Sequence, residues 1–463
     1  MKDNHNNISR RRFIGQLGVT ALAGLAASCG AKISTTDEHE ASDAKPGKMT
    51  MRTNPNTGDE VSLLGYGCMR LPTVKTDGEG DVIDQEAVNR LVDHAIEHGV
   101  NYFDTAPVYC KARSEEAMGK ALSRHPRDSY FIATKLSNFD PSTHSLERSR
   151  EMFENSLKLL QTDHIDYLLL HAIGNGGIEN FNVRYADNGL LDWLVEQKKA
   201  GRIRNLGFSF HGDVGVFNEM LARMDRGEIH WDFVQIQLNY IDWLPATDSE
   251  GRDISAHYLY DELERRGIPV VIMEPLLGGR LANVGDAVAK KMKERRPDDS
   301  IASWAFRFAG TPEGVLTVLS GMTYMEHLED NLATYSPLDP VSDIESNFYE
   351  FIAREIKANK TVECTDCRYC LPCPYGVNIP AIFAHYNKCI NEDNAPRDVR
   401  DPNYERGRRA FLVGYDRSVP RLRQANRCIA CGQCIPKCPQ GIEIPRRLDD
   451  INAYVENLRQ SKA

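Results

Sequence analysis

Between residues 62 and 336, short apolar runs alternate with amphipathic ones. Apolar runs stand at 63–69, 101–106, 130–135, 167–172, 205–210, 233–239, 269–275 and 315–322, each the length of a buried strand. Between them, apolar residues recur every three or four positions. That spacing predicts helices over segments such as 84–99, 114–125, 145–161, 189–201 and 255–267. Several of these end at a glycine, which readily takes the left-handed turn that closes a helix. Continuously apolar strands separated by helices pair in parallel, with both sheet faces covered. Eight such units predict an α/β fold, a closed (β/α)8 TIM barrel. An open doubly wound sheet is the competing arrangement. It would carry a glycine fingerprint after its first strand, and Gly65-x-Gly67 lacks the third glycine.

The residues that end these runs are polar: Asp104, Lys135, His171, Ser209, Asn239 and Glu274. Taken singly, each is open to a bland reading, Asp104 as a loop cap and Lys135 as a solvated cation. Together they predict a shared mouth, because the C-terminal ends of barrel strands converge where such folds keep their chemistry.

The chain has 463 residues, 41% hydrophobic and 26% charged, enough for two or three domains with sizeable cores. Its net charge of −10 gives no basic surface for nucleic acid. The pattern divides it into a leader at 1–30, a polar linker at 31–50, the barrel at 51–340 and a smaller module at 341–463.

That module holds eight cysteines in two runs, Cys364-x2-Cys367-x2-Cys370-x2-Cys373-Pro374 and Cys428-x2-Cys431-x2-Cys434-x3-Cys438-Pro439. Steps of two residues let three thiolates converge on one cubane iron–sulfur cluster, while the cysteine before proline reaches the other cluster. The expected sets are Cys364, Cys367, Cys370 and Cys438 on one [4Fe–4S] cluster, and Cys428, Cys431, Cys434 and Cys373 on a second. Zinc is the alternative, but it favours isolated C-x2-C pairs and gives no reason for a third step or the paired Cys-Pro. The first run has two residues rather than three before its last cysteine. After each run come Gly376 or Gly441 and then Ile379-Pro380 or Ile444-Pro445, which suggests two copies of one cluster-binding turn leading into a helix. A helix is expected over 379–390, then a charged, proline-interrupted segment. This long connection resembles the mostly α-helical ferredoxin-like modules fused to larger oxidoreductases. Of the remaining cysteines, Cys68, Cys110 and Cys389 are expected to be small buried hydrophobes.

At the N-terminus, Ser9-Arg10-Arg11-Arg12-Phe13-Ile14-Gly15 matches a twin-arginine export pattern, and an apolar stretch at 19–27 is too short to span a bilayer. Export of the folded protein to the periplasm is the expectation. Ala26-Ala27-Ser28-Cys29 is a near miss to a lipoprotein box, so membrane attachment is expected only if Cys29 is lipidated.

Asp104-Thr105-Ala106-Pro107-Val108-Tyr109, Ala133-Thr134-Lys135, Asp166-Tyr167-Leu168-Leu169-Leu170-His171 and Gln235-Ile236-Gln237-Leu238-Asn239-Tyr240 fall in an order and spacing that resemble the aldo/keto reductase family. With the cysteine module and leader, the chain resembles a ferredoxin-fused, exported branch of it. The resemblance implies that Tyr109 is a general acid protonating a carbonyl oxygen, with Lys135 lowering its pKa, Asp104 holding Lys135, and His171 orienting the substrate. It implies NAD(P)H in extended form. Ser209, Gln237 and Asn239 would lie near the nicotinamide amide, and Tyr240 near its stacking wall. Leu276, Gly278 and Gly279 would lie by the pyrophosphate, and Gly321, Met322 and Asn331 by the adenosine. His327 stands where arginine is common, which leans toward NADH. The implied partners are a small carbonyl or alcohol substrate and a redox partner protein.

Hydride moves two electrons at once, whereas each cubane passes one, and the sequence carries no flavin motif. Three arrangements are compatible with this. The barrel could be exported with nicotinamide bound, the clusters could hand electrons to a partner, or the clusters could be structural or redox-sensing. An electron-transfer subunit whose barrel is a docking scaffold, or binds a non-nicotinamide partner, is a further class; the intact tetrad argues against it.

Overall fold

The computed structural model describes residues 47–76 and 80–461. The twin-arginine pattern, the apolar stretch after it and Cys29 lie outside the described residues. Among the described residues no helix is long and apolar enough to cross a membrane.

A hairpin, β1 (Met51–Thr53) and β2 (Glu60–Ser62), leads into β3 (Leu64–Gly67), and a second hairpin follows, β4 (Thr73–Thr76) and β5 (Gly80–Ile83). The remaining strands are β6 (Tyr102–Asp104), β7 (Phe131–Leu136), β8 (Ile165–Ile173), β9 (Ile203–Phe210), β10 (Phe233–Gln237), β11 (Val270–Met273) and β12 (Val315–Ser320). Strand β3 and β6 to β12 pair in parallel and close into one barrel, with β12 returning to β3. All eight expected runs become its strands. The run at 233–239 stops at Gln237 because the Asn239 side chain accepts the N–H groups of Ile241 and Asp242, turning the backbone.

The helices follow from their ends. Asp84, Ser145 and Ser255 each accept a backbone N–H in the first turn of Gln85–Glu97, Leu146–Leu160 and Ala256–Arg265. Gly99, Gly201 and Gly267 take φ of +89°, +77° and +67° just past three helix ends.

Side chains alternate across each strand, and this alternation separates two interiors. Tyr102, Ala133, Tyr167, Leu169, Phe233 and Val271 fill the inside of the barrel, with Val61 of the first hairpin among them. Their neighbours Phe103, Ile132, Leu168, Val234 and Ile272 face the surrounding helices in a larger core. Asp104, Lys135, His171, Ser209 and Gln237 share the inward parity, two or more residues further along each strand, so closure of the barrel gathers them at one end.

Helix Asp343–Ala358, which falls in the segment assigned to the smaller module, packs on the barrel. It starts with a capping box at Ser342 and Glu345, and its Tyr349 ring lies 5.7 Å from Tyr240, 5.3 Å from Trp304 and 5.3 Å from Phe308. The module has its own core, in which Ile382, Phe383, Phe411, Tyr415, Leu448 and Val455 bury the faces of helices Ile379–Asn391, Tyr404–Ser418 and Ile444–Gln460. The middle helix corrects the expectation of a charged, proline-interrupted segment. Pro396, Pro402 and Pro420 flank it, while Tyr404, Gly407, Phe411 and Tyr415 bury one face at spacings of three and four. The two expected cluster-binding turns match each other. Gly376 and Gly441 donate to the carbonyls of Cys373 and Cys438 at positive φ, and a helix follows each with proline in its first turn.

Candidate active site and cluster sites

Asp104 ends β6, Lys135 lies near the end of β7 and His171 near the end of β8; all three are buried. The Lys135 ammonium donates to both Asp104 carboxylate oxygens at 2.7 Å and to the Thr105 carbonyl at 2.9 Å. Burial pushes the Asp104 carboxyl up and Lys135 pulls it back. Tyr109 follows β6, and its ring has the Lys135 ammonium 5.2 Å from its centroid and the His171 ring edge-on at 6.0 Å. Cys110, Lys111 and Ala112, directly after Tyr109, all take left-handed φ values of 51°, 58° and 61°. Three such non-glycine residues in a row are strained backbone, of the kind concentrated at functional turns.

The structure thus brings the four tetrad residues together, with one difference in protonation. Lys135 was expected to lower the Tyr109 pKa. Instead burial pushes the phenol well up, with Tyr369, Asp104, Glu274 and Cys68 adding to the rise. The physical reason is that the Lys135 donors point at Asp104 and Thr105 rather than at the phenol oxygen. His171 is held well below the usual histidine range by burial, then by Lys135, His211 and Arg184, so its imidazole is neutral. Its Nδ1 lies 2.6 Å from the Ser137 hydroxyl.

Sequence reasoning missed several of these groups. His211, one residue past β9, is pushed down to about 4 by burial and Lys135. Arg184 is buried against the site, donating to the His171 carbonyl at 2.6 Å. Gln235 is buried inside the barrel with its Oε1 unpartnered. The period of two that selected Gln237 selects Gln235 as well.

The residues assigned to a dinucleotide are engaged within the chain. The Ser209 hydroxyl accepts the Ala172 N–H at 2.9 Å. Gln237 and Asn239 both donate to the Asp242 carboxylate at 2.7 Å, and Gln237 also pairs with Gln440 of the module. Asn331 donates to Ser320, and the Met322 carbonyl accepts the Tyr66 hydroxyl, while Gly321 is exposed beside the Arg70 side chain. Tyr240 corrects its assignment to a stacking wall: it is buried between Phe308 and Tyr349, in the packing of helices Ile301–Gly310 and Asp343–Ala358. The turn after Leu276 runs through Gly278 and Gly279 at φ of +67° and +99°. A side chain at Gly278 would collide with the backbone of Thr365, which comes from the module. With the module docked in this way, these residues do not fit an extended dinucleotide.

The cysteines of the module gather across the two runs. Burial pushes the Cys364 thiol up to about 11 and those of Cys367 and Cys370 up to about 12, and each of the three has Cys438 among the charges that raise it further. Burial likewise raises Cys434, followed by Cys428, Cys431 and Cys373. A cavity lies over this second group, lined by Cys370, Cys373, Cys428, Cys431 and Cys434 among others. Four half-buried or exposed thiols gathered from both runs match a donor set for a cationic or iron–sulfur centre. Cys68, Cys110 and Cys389 carry no disulfide, with Cys68 and Cys389 buried and Cys110 half-buried.

Comparison with known proteins agrees with both halves of this geometry. Residues 63–342 match the profile described as the aldo/keto reductase family, and residues 363–443 match a 4Fe-4S dicluster domain. The chain is 27% identical to the L-galactose dehydrogenase of Arabidopsis thaliana over 308 residues, 63% of this chain and 90% of that protein. An aldo-keto reductase from Bacillus halodurans, solved in its holo form, superposes with a TM-score of 0.50 at 24% identity, covering 66% of this chain and 96% of its own. A thermostable aldo-keto reductase solved with the inhibitor epalrestat gives 0.52 at 22% identity over 66% of this chain and all of its own. At these identities the two structures establish the shared fold.

The neutral His171 has a consequence for stability. Its folded pKa is depressed, so below 6.5 the unfolded chain takes up a proton that the folded chain refuses. His171 should therefore cost stability progressively as pH falls through 6.5 and nothing well above it. The imidazole nitrogen shifts in an NMR titration should remain those of the neutral ring at pH 6.5, where a free histidine is half protonated.

Proposed function

The chain belongs to the aldo/keto reductase family and carries a 4Fe-4S dicluster domain, and on that premise we propose that it interconverts a small carbonyl compound and its alcohol with Tyr109 as the proton donor. It is an oxidoreductase by family; the assignment of roles rests on the buried constellation at the barrel mouth. One observation carries it: the Lys135 ammonium, fixed by Asp104, lies over the Tyr109 ring with a neutral His171 edge-on beside it. Burial keeps the phenol protonated, which is the form a general acid needs before reduction. As the carbonyl oxygen gains charge and takes the proton, a phenolate develops beside a fixed ammonium already in place. In the alcohol-to-carbonyl direction the same group accepts the proton. A neutral imidazole can orient the carbonyl oxygen without adding a second cation to the site.

Members of this family use NADP, which supplies or takes a hydride when bound. The proton at the Tyr109 oxygen is handled by this chain's own residues.

In the module we propose two [4Fe–4S] clusters with crossed ligation, Cys364, Cys367, Cys370 and Cys438 on one, Cys428, Cys431, Cys434 and Cys373 on the other. The support is that each group of three thiols has the fourth cysteine from the other run beside it. One-electron centres also favour a redox protein as partner. For location we propose twin-arginine export, supported by Arg10-Arg11 and the short apolar run.

Tyr109→Phe removes only the hydroxyl and should lower turnover on the order of 10²-fold or more, the range usual for a lost acid–base group. Full turnover in the variant would end the acid role. Iron analysis should approach eight per chain, the content of two four-iron clusters. Cys438→Ser should alter the spectroscopic signature of the cluster on Cys364, Cys367 and Cys370, and Cys373→Ser that of the other; damage confined to the local cluster in each case would reject the crossing. Changing Arg10 and Arg11 to lysine should leave the protein in the cytoplasm, as read by fractionation, and unchanged export would refute that route.

A further inference from the structure

The first cysteine run does not stand apart from the barrel. Arg70, between β3 and β4, donates through Nη2 to the Thr365 carbonyl at 2.6 Å and pairs through Nη1 with the Asp366 carboxylate at 3.4 Å. A guanidinium at the rim of a mouth is the group best shaped to take two phosphate oxygens. Here a backbone carbonyl and a carboxylate of the same chain take that place. The Thr365 backbone lies directly on Gly278, and only a residue without a side chain allows that approach. The Gly279 N–H donates to the Leu276 carbonyl at 3.0 Å, and the buried Thr365 hydroxyl has no hydrogen-bond partner among the described residues.

Two further contacts seal the same mouth. Gln440, directly after the second Cys-Pro, forms a reciprocal amide pair with Gln237 at 3.1 and 3.5 Å. The Tyr369 ring lies 6.2 Å from Phe139, whose ring lies 4.9 Å from His171. The loop between Cys364 and Cys370 therefore meets the barrel at its rim, at its glycine turn and beside its catalytic histidine. Deeper in, Gln235 keeps an unpartnered amide oxygen inside the barrel, a recognition group still awaiting a donor.

We propose that the 364–370 loop of this chain is itself the occupant of the barrel's dinucleotide groove, so that the docked loop and a nicotinamide dinucleotide exclude one another. Thr365 and Asp366 stand in for the pyrophosphate oxygens at Arg70, and Gly278 is kept without a side chain by the loop. The groove retains its dinucleotide-binding character beneath the loop and binds the dinucleotide only when the loop leaves. A ligand whose competent state is populated near 1% binds on the order of 100-fold more weakly than its intrinsic affinity.

The test is NADPH binding to the cluster-loaded full chain under anaerobic conditions, followed by nicotinamide fluorescence, with wild type beside an Asp366→Asn/Gln440→Ala variant. That variant removes the Asp366 charge paired with Arg70 and the Gln440 amide paired with Gln237, while leaving Arg70, the tetrad and all eight cysteines. Visible absorbance and iron content establish that it is folded and loaded. The expected result is on the order of 100-fold tighter binding in the variant, the gain that follows from freeing a closed state. A second measurement needs no variant: saturating NADPH should raise amide hydrogen exchange across 364–370 in the wild type. Tight wild-type binding with unchanged exchange in that loop would overturn the proposal, because both would then be bound together. Equal affinities, or no binding by either protein, would overturn it as well, since the loop would not be what governs the groove. These readouts are independent of the acid role of Tyr109, so full turnover by Tyr109→Phe would leave them untouched.

Discussion

The buried pair between Lys135 and Asp104 is the interaction around which the barrel mouth is organised. Both side chains are essentially removed from water, at 0% and 3% exposure. Burying two charges is costly unless their geometry is close and their remaining donors are met. Here two contacts at 2.7 Å and a third to the Thr105 carbonyl meet that condition. The pair joins β6 to β7, fixes an ammonium beside the Tyr109 ring and lowers the proton affinity of His171 across the mouth. Removing either partner would strand the other charge, with a penalty of about 3–5 kcal/mol typical of such breaks.

The smaller module depends on different physics. Its three helices share a limited core, and burial drives the thiol pKa values of Cys364, Cys367, Cys370 and Cys434 upward. Such thiols become good ligands only when a metal centre takes their protons, so loading and folding of this region are coupled. Its position on the barrel follows from polar contacts rather than a broad apolar face. The contacts are Arg70 with Thr365 and Asp366, Gln237 with Gln440, Arg280 with Thr361, and Asn391 with the Asn283 carbonyl. Contacts of this kind are individually weak, and that suits a module able to leave the mouth.

This arrangement bears on the mismatch between two-electron hydride chemistry and one-electron clusters. The loop between Cys364 and Cys370 reaches His171 through the rings of Tyr369 and Phe139. The first cysteine run is therefore not on a remote tether, and it shares a wall with the barrel mouth.

Much of the molecule was determined by the sequence itself. Short continuous apolar runs alternating with amphipathic helices point to strands covered on both faces, and the alternation within them sends Asp104, Lys135, His171, Ser209 and Gln237 inward once the barrel closes. Cysteine spacing likewise specified two cluster-binding turns, since Cys-Pro followed by glycine and Ile-Pro is a local pattern with a local geometry. Tertiary structure alone decided what lies far apart in the chain. Nothing near Arg70 or Gly278 announces Thr365, and nothing near Phe139 announces Tyr369, because a contact between residues far apart in the chain leaves no periodic signal. Protonation was decided there too. The same Lys135 that motif spacing set beside Tyr109 spends its hydrogen bonds on Asp104 and Thr105, and burial then outweighs the charge. Tyr240 left a nominal cofactor wall for the hydrophobic core for a similar reason: the Phe308 ring comes from helix Ile301–Gly310, and the Tyr349 ring reaches it only after helix Asp343–Ala358 folds back onto the barrel.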